Sequence, residues 1–257
     1  MLEKMKVNIT PTTCFGIRKY LFSTIVLIVL LLSCNQQNKT NSENTHKSKT
    51  TGDGISIVKN YHEGELQSEF SMKDSVKQGI GKIYYLNGKL SSVCNYSNDL
   101  KNGLEEKYYT EGTLYRTREY IDGKINGLEK RYYRNGQLKT ALSYKNDMPG
   151  TGLKEYHRDG TIVTEYPELT YEIINDRDYK RQKLLIFYFP GITENVYFYQ
   201  GQLIEGKYFD TSNSPCGINN GKGEIGFYPD SHGEITISAK YITSNLAPYV
   251  IEKKIIF

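Results

Sequence analysis

Glycine recurs at positions 64, 88, 112, 136 and 160, always 24 residues apart, and it brings neighbours at fixed offsets. Three residues before these glycines stand Tyr61, Tyr85, Tyr109, Tyr133 and His157; two residues after them stand Leu66, Leu90, Leu114, Leu138 and Ile162. Further glycines fall at Gly79, Gly103 and Gly127, and further tyrosines at Tyr96, Tyr120 and Tyr144. A beat of this length defines a repeat architecture, in which each unit buries its surface only against its neighbours.

Each unit reads as a β-hairpin. Asn87-Gly88 and Asn135-Gly136 are pairs favoured in two-residue type I′ turns, whose central residues both need positive φ; Glu-Gly and Asp-Gly replace them in the other units. With the turn at Asn135-Gly136, Arg134 pairs with Gln137 and Tyr133 with Leu138. One face then carries Tyr133, Leu138, Thr140, Leu142 and Tyr144, and the other Leu128, Lys130, Tyr132, Lys139 and Ala141. The same register sets Tyr109 beside Leu114 and Glu105 beside Arg118, an expected aromatic–aliphatic pair and an expected ion pair. Neither face is wholly apolar, so the expected sheet is a thin layer wetted on both sides, where a phenol packs its ring and keeps its hydroxyl in water. The carboxylate pairs Glu63 with Glu65 and Glu105 with Glu106 read as solvated cross-strand charges, because acid–base chemistry needs one carboxyl desolvated and the other not.

The segments "GLEEKYYTEGTLYRTREY" (Gly103 to Tyr120) and "GLEKRYYRNGQLKTALSY" (Gly127 to Tyr144) resemble the bacterial MORN-like repeat family. The resemblance covers roughly residues 57–166 and implies a scaffold making protein or membrane contacts, without catalysis or cofactor. Proteins of this kind often carry the name YwqK-type antitoxins, which implies as an alternative an antitoxin or immunity protein that neutralises a toxin by direct binding. The fifth unit departs from the template, with an extra residue before Gly152 and His157 in place of tyrosine, as terminal repeats commonly do. The repeated tyrosines and their basic neighbours, Tyr85, Tyr109, Tyr120, Tyr133, Tyr144 and Arg131, form a candidate ladder for gripping a protein partner. The same ladder serves equally to hold hairpin to hairpin.

The chain begins with Lys4, Lys6, Arg18 and Lys19, then the apolar run Leu21 to Leu32, then Ser33 and Cys34. A charged start, an apolar run too short for a comfortable bilayer crossing and a small residue at the cut mark a cleavable signal. "LLSC" at Leu31 to Cys34 resembles a bacterial lipobox, which implies cleavage before an acylated Cys34; an uncleaved anchor helix is the alternative. Residues 1–33 are thus expected to be a signal peptide, and 34–54, rich in Asn, Gln, Lys, Thr and Ser, a disordered tether. The expected location is the cell envelope, lipid-anchored, in the outer membrane of a diderm.

Removing Lys4, Lys6, Arg18, Lys19 and Glu3 takes the formal charge from +4 to +1, and the remaining Lys and Arg are dispersed among Glu and Asp. Nucleic acid is therefore not an expected partner. Of the four cysteines, Cys94 and Cys216 remain, far apart in sequence and read as independent thiols. His46, His62, His157 and His232 stand in tether or turns without a catalytic or metal constellation. "GINNGKG", Gly217 to Gly223, is one residue short of a phosphate loop and leads into a strand, so it reads as a β-connection. No small-molecule substrate, metal or cofactor is indicated, and the one enzyme arrangement conceivable is Cys216 with His232 and a carboxylate.

From Pro167 the beat fades, yet "KLLIFYF", "NVYFYQGQLIEGKYF", "GEIGFYP", "GEITISAKYI" and "YVIEKKIIF" still read as strands. They predict a small antiparallel β-sandwich of immunoglobulin-like type over 167–257. "YFYQGQL" keeps the repeat template, so decayed repeats remain the alternative. "VIEKKIIF" ends as an outer-membrane barrel strand can, but Lys253 interrupts its apolar side. The fold expected is all-β: an elongated array of tandem β-hairpins over 55–166, followed by the sandwich.

Overall fold

The computed structural model describes residues 44–48, 54–176, 182–228 and 231–257. No helix occurs among them. Twelve strands, β1 (Asn44–Ser48), β2 (Ile55–His62), β3 (Glu65–Lys73), β4 (Val76–Tyr84), β5 (Leu90–Ser97), β6 (Leu100–Tyr108), β7 (Leu114–Ile121), β8 (Lys124–Ile125), β9 (Gly127–Tyr132), β10 (Leu138–Lys145), β11 (Met148–Pro149) and β12 (Lys154–Glu155), form one antiparallel sheet of consecutive hairpins. β1 pairs with β2 inside the segment 34–54 that composition reads as disordered. Its polar sequence is no obstacle, because an edge strand is held by backbone hydrogen bonds.

Two kinds of turn alternate along the sheet, and the expected type I′ assignment needs correction. At the Asn-Gly loops the chain makes a three-residue turn: Gly88 N–H donates to Tyr85 O (2.9 Å) and Tyr85 N–H to Lys89 O (2.8 Å). Within that loop only Gly88 has positive φ, at 76°. This is a type I turn followed by a left-handed glycine, and it is repeated at Gly112, Gly136 and Gly160. Type I′ turns occur elsewhere, at Glu63-Gly64 and at Asp74-Ser75, Asn98-Asp99, Asp122-Gly123 and Asn146-Asp147, where both central residues have positive φ. Asn and Asp tolerate that conformation better than other side chains.

The three-residue loop moves the register. Leu138 pairs with Tyr132 and Thr140 with Arg131, leaving Lys139 as a bulge; Ser91 and Tyr115 bulge at the equivalent positions. Leu138 therefore lies on the face opposite Thr140, and Leu114 pairs with Tyr108 instead of Tyr109. Beyond the bulge Glu105 and Arg118 stand opposite each other as expected, but the expected ion pair is replaced: Lys101 and Arg116 close on Glu105, and Arg118 turns to Glu129 on the next strand.

Eight further strands follow: β13 (Thr170–Asp176), β14 (Gln182–Tyr188), β15 (Val196–Gln200), β16 (Ser214–Pro215), β17 (Gly217–Asn219), β18 (Lys222–Phe227), β19 (Glu234–Ile242) and β20 (Pro248–Ile256). They make two four-stranded antiparallel sheets, ordered β13-β14-β18-β17 and β16-β15-β19-β20. Leu185 and Phe187 of one sheet meet Phe198, Ile237 and Ala239 of the other in a fully apolar core, with the Phe187 and Phe198 rings edge to face at 5.0 Å. This is the expected sandwich.

The sandwich closes the end of the array. Gly150 bridges Tyr208, Phe209 N–H donates to Pro149 O (2.9 Å) and Thr151 N–H to Lys207 O (2.8 Å), so the edge beside β11 meets backbone from the β15–β16 connection. Ala247 packs with Leu142, Tyr144 and Leu153 in a second apolar cluster. Thr243 Oγ1 donates to the buried Glu155 carboxylate at 2.7 Å.

Candidate interaction surface

The tyrosines ahead of the Asn-Gly loops line up along one rim of the sheet. Each reaches one unit forward: Tyr85 Oη donates to Tyr108 O (2.6 Å), Tyr109 Oη to Tyr132 O (2.9 Å) and Tyr133 Oη to Tyr156 O (2.8 Å). Asn87 and Asn135 make the parallel contact to Thr110 O and Arg158 O. The hydroxyls are thus spent on stitching successive hairpins, and the ring faces are what remain for other use. Arg134 lies 4.5 Å over the Tyr109 ring, and Lys139 and Arg158 lie 5.5 and 5.9 Å over that of Tyr133. With Asn135 these side chains line a cleft of about 350 Å³. A row of aromatic rings edged by guanidinium groups is suited to flat or acidic groups on a partner.

One face of the sheet holds a buried ionic layer. Glu105 and Glu129 are 2% and 3% exposed, so the expectation that such carboxylates are solvated is corrected for Glu105. Lys101 and Arg116 close on Glu105, the latter at 3.0 Å; Arg118 and Arg131 close on Glu129, the latter at 2.7 Å. Burial alone would raise the Glu105 carboxyl, but the ammonium of Lys101 and the guanidinium of Arg116 outweigh it and hold its pKa below the ordinary carboxylate value. The equivalent position one unit earlier is Gly81, where a Cβ would stand 2.6 to 2.7 Å from the rings of Phe70 and Tyr96. There the layer is aromatic, with Lys77 4.6 Å over Phe70. On the opposite face Tyr108 donates to Glu106, and burial together with that bond pushes its pKa up to about 12.

The candidate ladder residues therefore divide. Tyr85, Tyr109 and Tyr133 share the rim, whereas Tyr120 and Tyr144 are 8% exposed and point into the ionic layer and the sandwich contact. Arg131 is held by Glu129 and by the carbonyl of Leu246, to which its Nη1 donates at 2.7 Å. Arg134, Lys139 and Arg158 are residues of the rim that the sequence reading passed over; Arg134 and Arg158 sit 25 residues after Tyr109 and Tyr133, a spacing visible in the sequence. Cys34 lies outside the described residues. Cys216 packs beside the sandwich core, and burial pushes its thiol up to about 11, so at neutral pH it is a protonated thiol. Among the described residues no three His, Cys, Asp or Glu side chains converge as metal ligands.

The family described as the MORN repeat variant matches residues 77–98, 101–122 and 125–146. Each match spans the hairpin between two type I′ turns, so the family's unit is the β4–β5, β6–β7 or β8–β10 segment with its Asn-Gly or Glu-Gly loop at the tip. MORN repeats are protein- and membrane-binding modules and are not catalytic. No curated protein matches the chain.

Proposed function

We propose that this chain is a bacterial lipoprotein, cleavable before Cys34 and anchored by acyl groups there, whose repeat array binds a protein partner at the cell envelope without catalysis. The observation that carries the binding role is the rim of Tyr109, Tyr133, Arg134 and Arg158 within and beside the matched repeats, open to solvent and built at a fixed spacing. Tyr and Arg are the side chains most often found to dominate binding energy at protein interfaces. The likeness of the units to YwqK-type proteins supports a second reading, immunity by direct capture of a toxin arriving from outside.

The strand orders support an immunoglobulin-like reading of residues 167–257. Lettered along the chain, β13 to β20 become A, B, C, C′, D, E, F and G, and the sheets read A-B-E-D and C′-C-F-G, the order of that sandwich.

The test is chemical crosslinking of the full chain in cells that produce it, comparing wild type with the double variant Arg134→Glu, Arg158→Glu. One adduct mass present in the wild type and missing from the variant is expected, with equal amounts of both proteins. An identical adduct in both would remove the rim from the account.

A further inference from the structure

Residues paired across adjacent strands share a face, and one such row crosses the face of the array opposite the buried ionic layer, from Lys59 on β2 to Lys154 on β12. At its start Lys59 and Lys82 flank Glu69 and both pair with it, at 3.8 and 2.9 Å. At its end the arrangement returns with the centre exchanged: Lys130 and Lys154 flank Ala141. Among the described residues no carboxylate or other partner holds either ammonium. Two strand spacings, about 10 Å, separate these lysines, and the small side chain of Ala141 leaves the space between them open.

That space belongs to an open hollow of about 550 Å³, whose lining also includes Leu128, Leu138, Tyr156 and Lys207 and no Asp or Glu. Lys207 comes from the β15–β16 connection, where its carbonyl accepts from Thr151 N–H (2.8 Å) and its ammonium lies 5.3 Å over the Tyr208 ring. Leu128 is exposed and Leu138, Ala141 and Tyr156 are half-buried, so apolar surface here faces water. A concavity of this size, mostly apolar with a few converging polar groups, is what small-molecule sites look like. Lys154 and Lys207 lie outside the matched repeats, so the hollow is a product of the junction with the sandwich and not of the repeat unit.

We propose that this hollow binds a small amphipathic organic anion, a carboxylate or sulfonate carried on an apolar body. The acidic group takes, between Lys130 and Lys154, the place that the Glu69 carboxylate fills between Lys59 and Lys82, with Lys207 as a third cation. The body covers Leu128, Leu138 and Tyr156, which a bare inorganic anion would leave in water. The hollow shares no lining residue with the rim, so its failure would leave the partner-binding reading untouched.

The test is lysine footprinting of the full chain in nonionic detergent: brief acetylation at fixed ionic strength, read residue by residue by peptide mass spectrometry. The probes are naphthalenesulfonate, its neutral analogue naphthalenesulfonamide, and inorganic sulfate. Saturating naphthalenesulfonate is expected to slow acetylation of Lys130, Lys154 and Lys207 by about threefold or more and to leave Lys59 and Lys82 unchanged. Ala141→Phe, which fills the space between the two lysines and leaves every charge in place, is expected to abolish the slowing. The exposed Lys154→Gln is expected to abolish it at Lys130 and Lys207. No slowing, equal slowing by the sulfonamide or by sulfate, equal slowing at Lys59 and Lys82, or slowing that survives either variant overturns the proposal.

Discussion

The two halves of the described chain are both antiparallel β, yet they are held together by different forces. In the sandwich, sheet faces sheet, and Leu185, Phe187, Ile237, Ala239 and Ile255 are each 0% exposed. Each large apolar side chain buried there contributes about 1.5 to 3 kcal/mol. The array is a single sheet whose buried layer includes Glu105, Glu129, Glu155 and the cations around them. Its hairpins are joined by interstrand pairs and by tyrosine hydroxyls reaching the next unit. A sheet without a second sheet over it packs its charges on one face and leaves its rim uncovered. The sandwich meets the array where that arrangement runs out, at Leu142, Leu153 and Glu155.

This contrast is open to direct attack. Phe187→Ala should cost the sandwich about 3 to 5 kcal/mol, read as a lowered urea midpoint for near-ultraviolet circular dichroism. Glu129→Ala should follow at about 3 kcal/mol, because it leaves Arg118 and Arg131 partly buried without their carboxylate. If it costs no more than an exposed pair, the array is not held by its ionic layer and the contrast fails.

Acid sharpens the point. The folded-state pKa of Glu105 lies below its unfolded value of about 4.3. Its contribution is therefore complete above that value and is lost as the pH falls through the folded-state pKa. Glu105→Gln should be less stable than wild type at pH 7, and the gap should close as the pH drops below about 4. A gap that persists unchanged in acid would mean that Glu105 acts through packing alone.

Smaller effects belong to the rim. Tyr109→Phe keeps the ring and removes the bond to Tyr132 O, for a loss of about 1 kcal/mol. Arg134→Ala, which breaks an exposed pair with Glu111, should leave the unfolding midpoint unchanged while weakening partner capture. Loss of stability in Arg134→Ala would show that the rim serves the fold more than it serves binding.

The hairpins, their beat and the placing of Glu105 opposite Arg118 were legible because local spacing dictates them, but the ion partners of both side chains were not. The turn type was not: an Asn-Gly pair suits both the two-residue turn and the three-residue turn with a left-handed glycine, and only the Tyr85–Lys89 closure distinguishes them. The second set of turns was visible as Asp74, Asn98, Asp122 and Asn146 recurring with the same period. Burial of Glu105 depends on Lys101 and Arg116, residues of ordinary surface composition that become a buried layer only once the sheet assembles. Arg131 reads as an exposed ladder residue until Leu246, 115 positions later, arrives at its guanidinium. Contacts that cross so much chain leave no trace in local pattern.

Location, partner class and the meaning of the open rim all turn on Cys34. The most direct measurement is the intact mass and membrane fractionation of the chain purified from cells that produce it, alongside Cys34→Ala. The account predicts a wild-type chain that begins at residue 34, carries acyl mass and sediments with membranes, and a variant that stays unprocessed. A full-length, unmodified wild-type chain in the soluble fraction would contradict it.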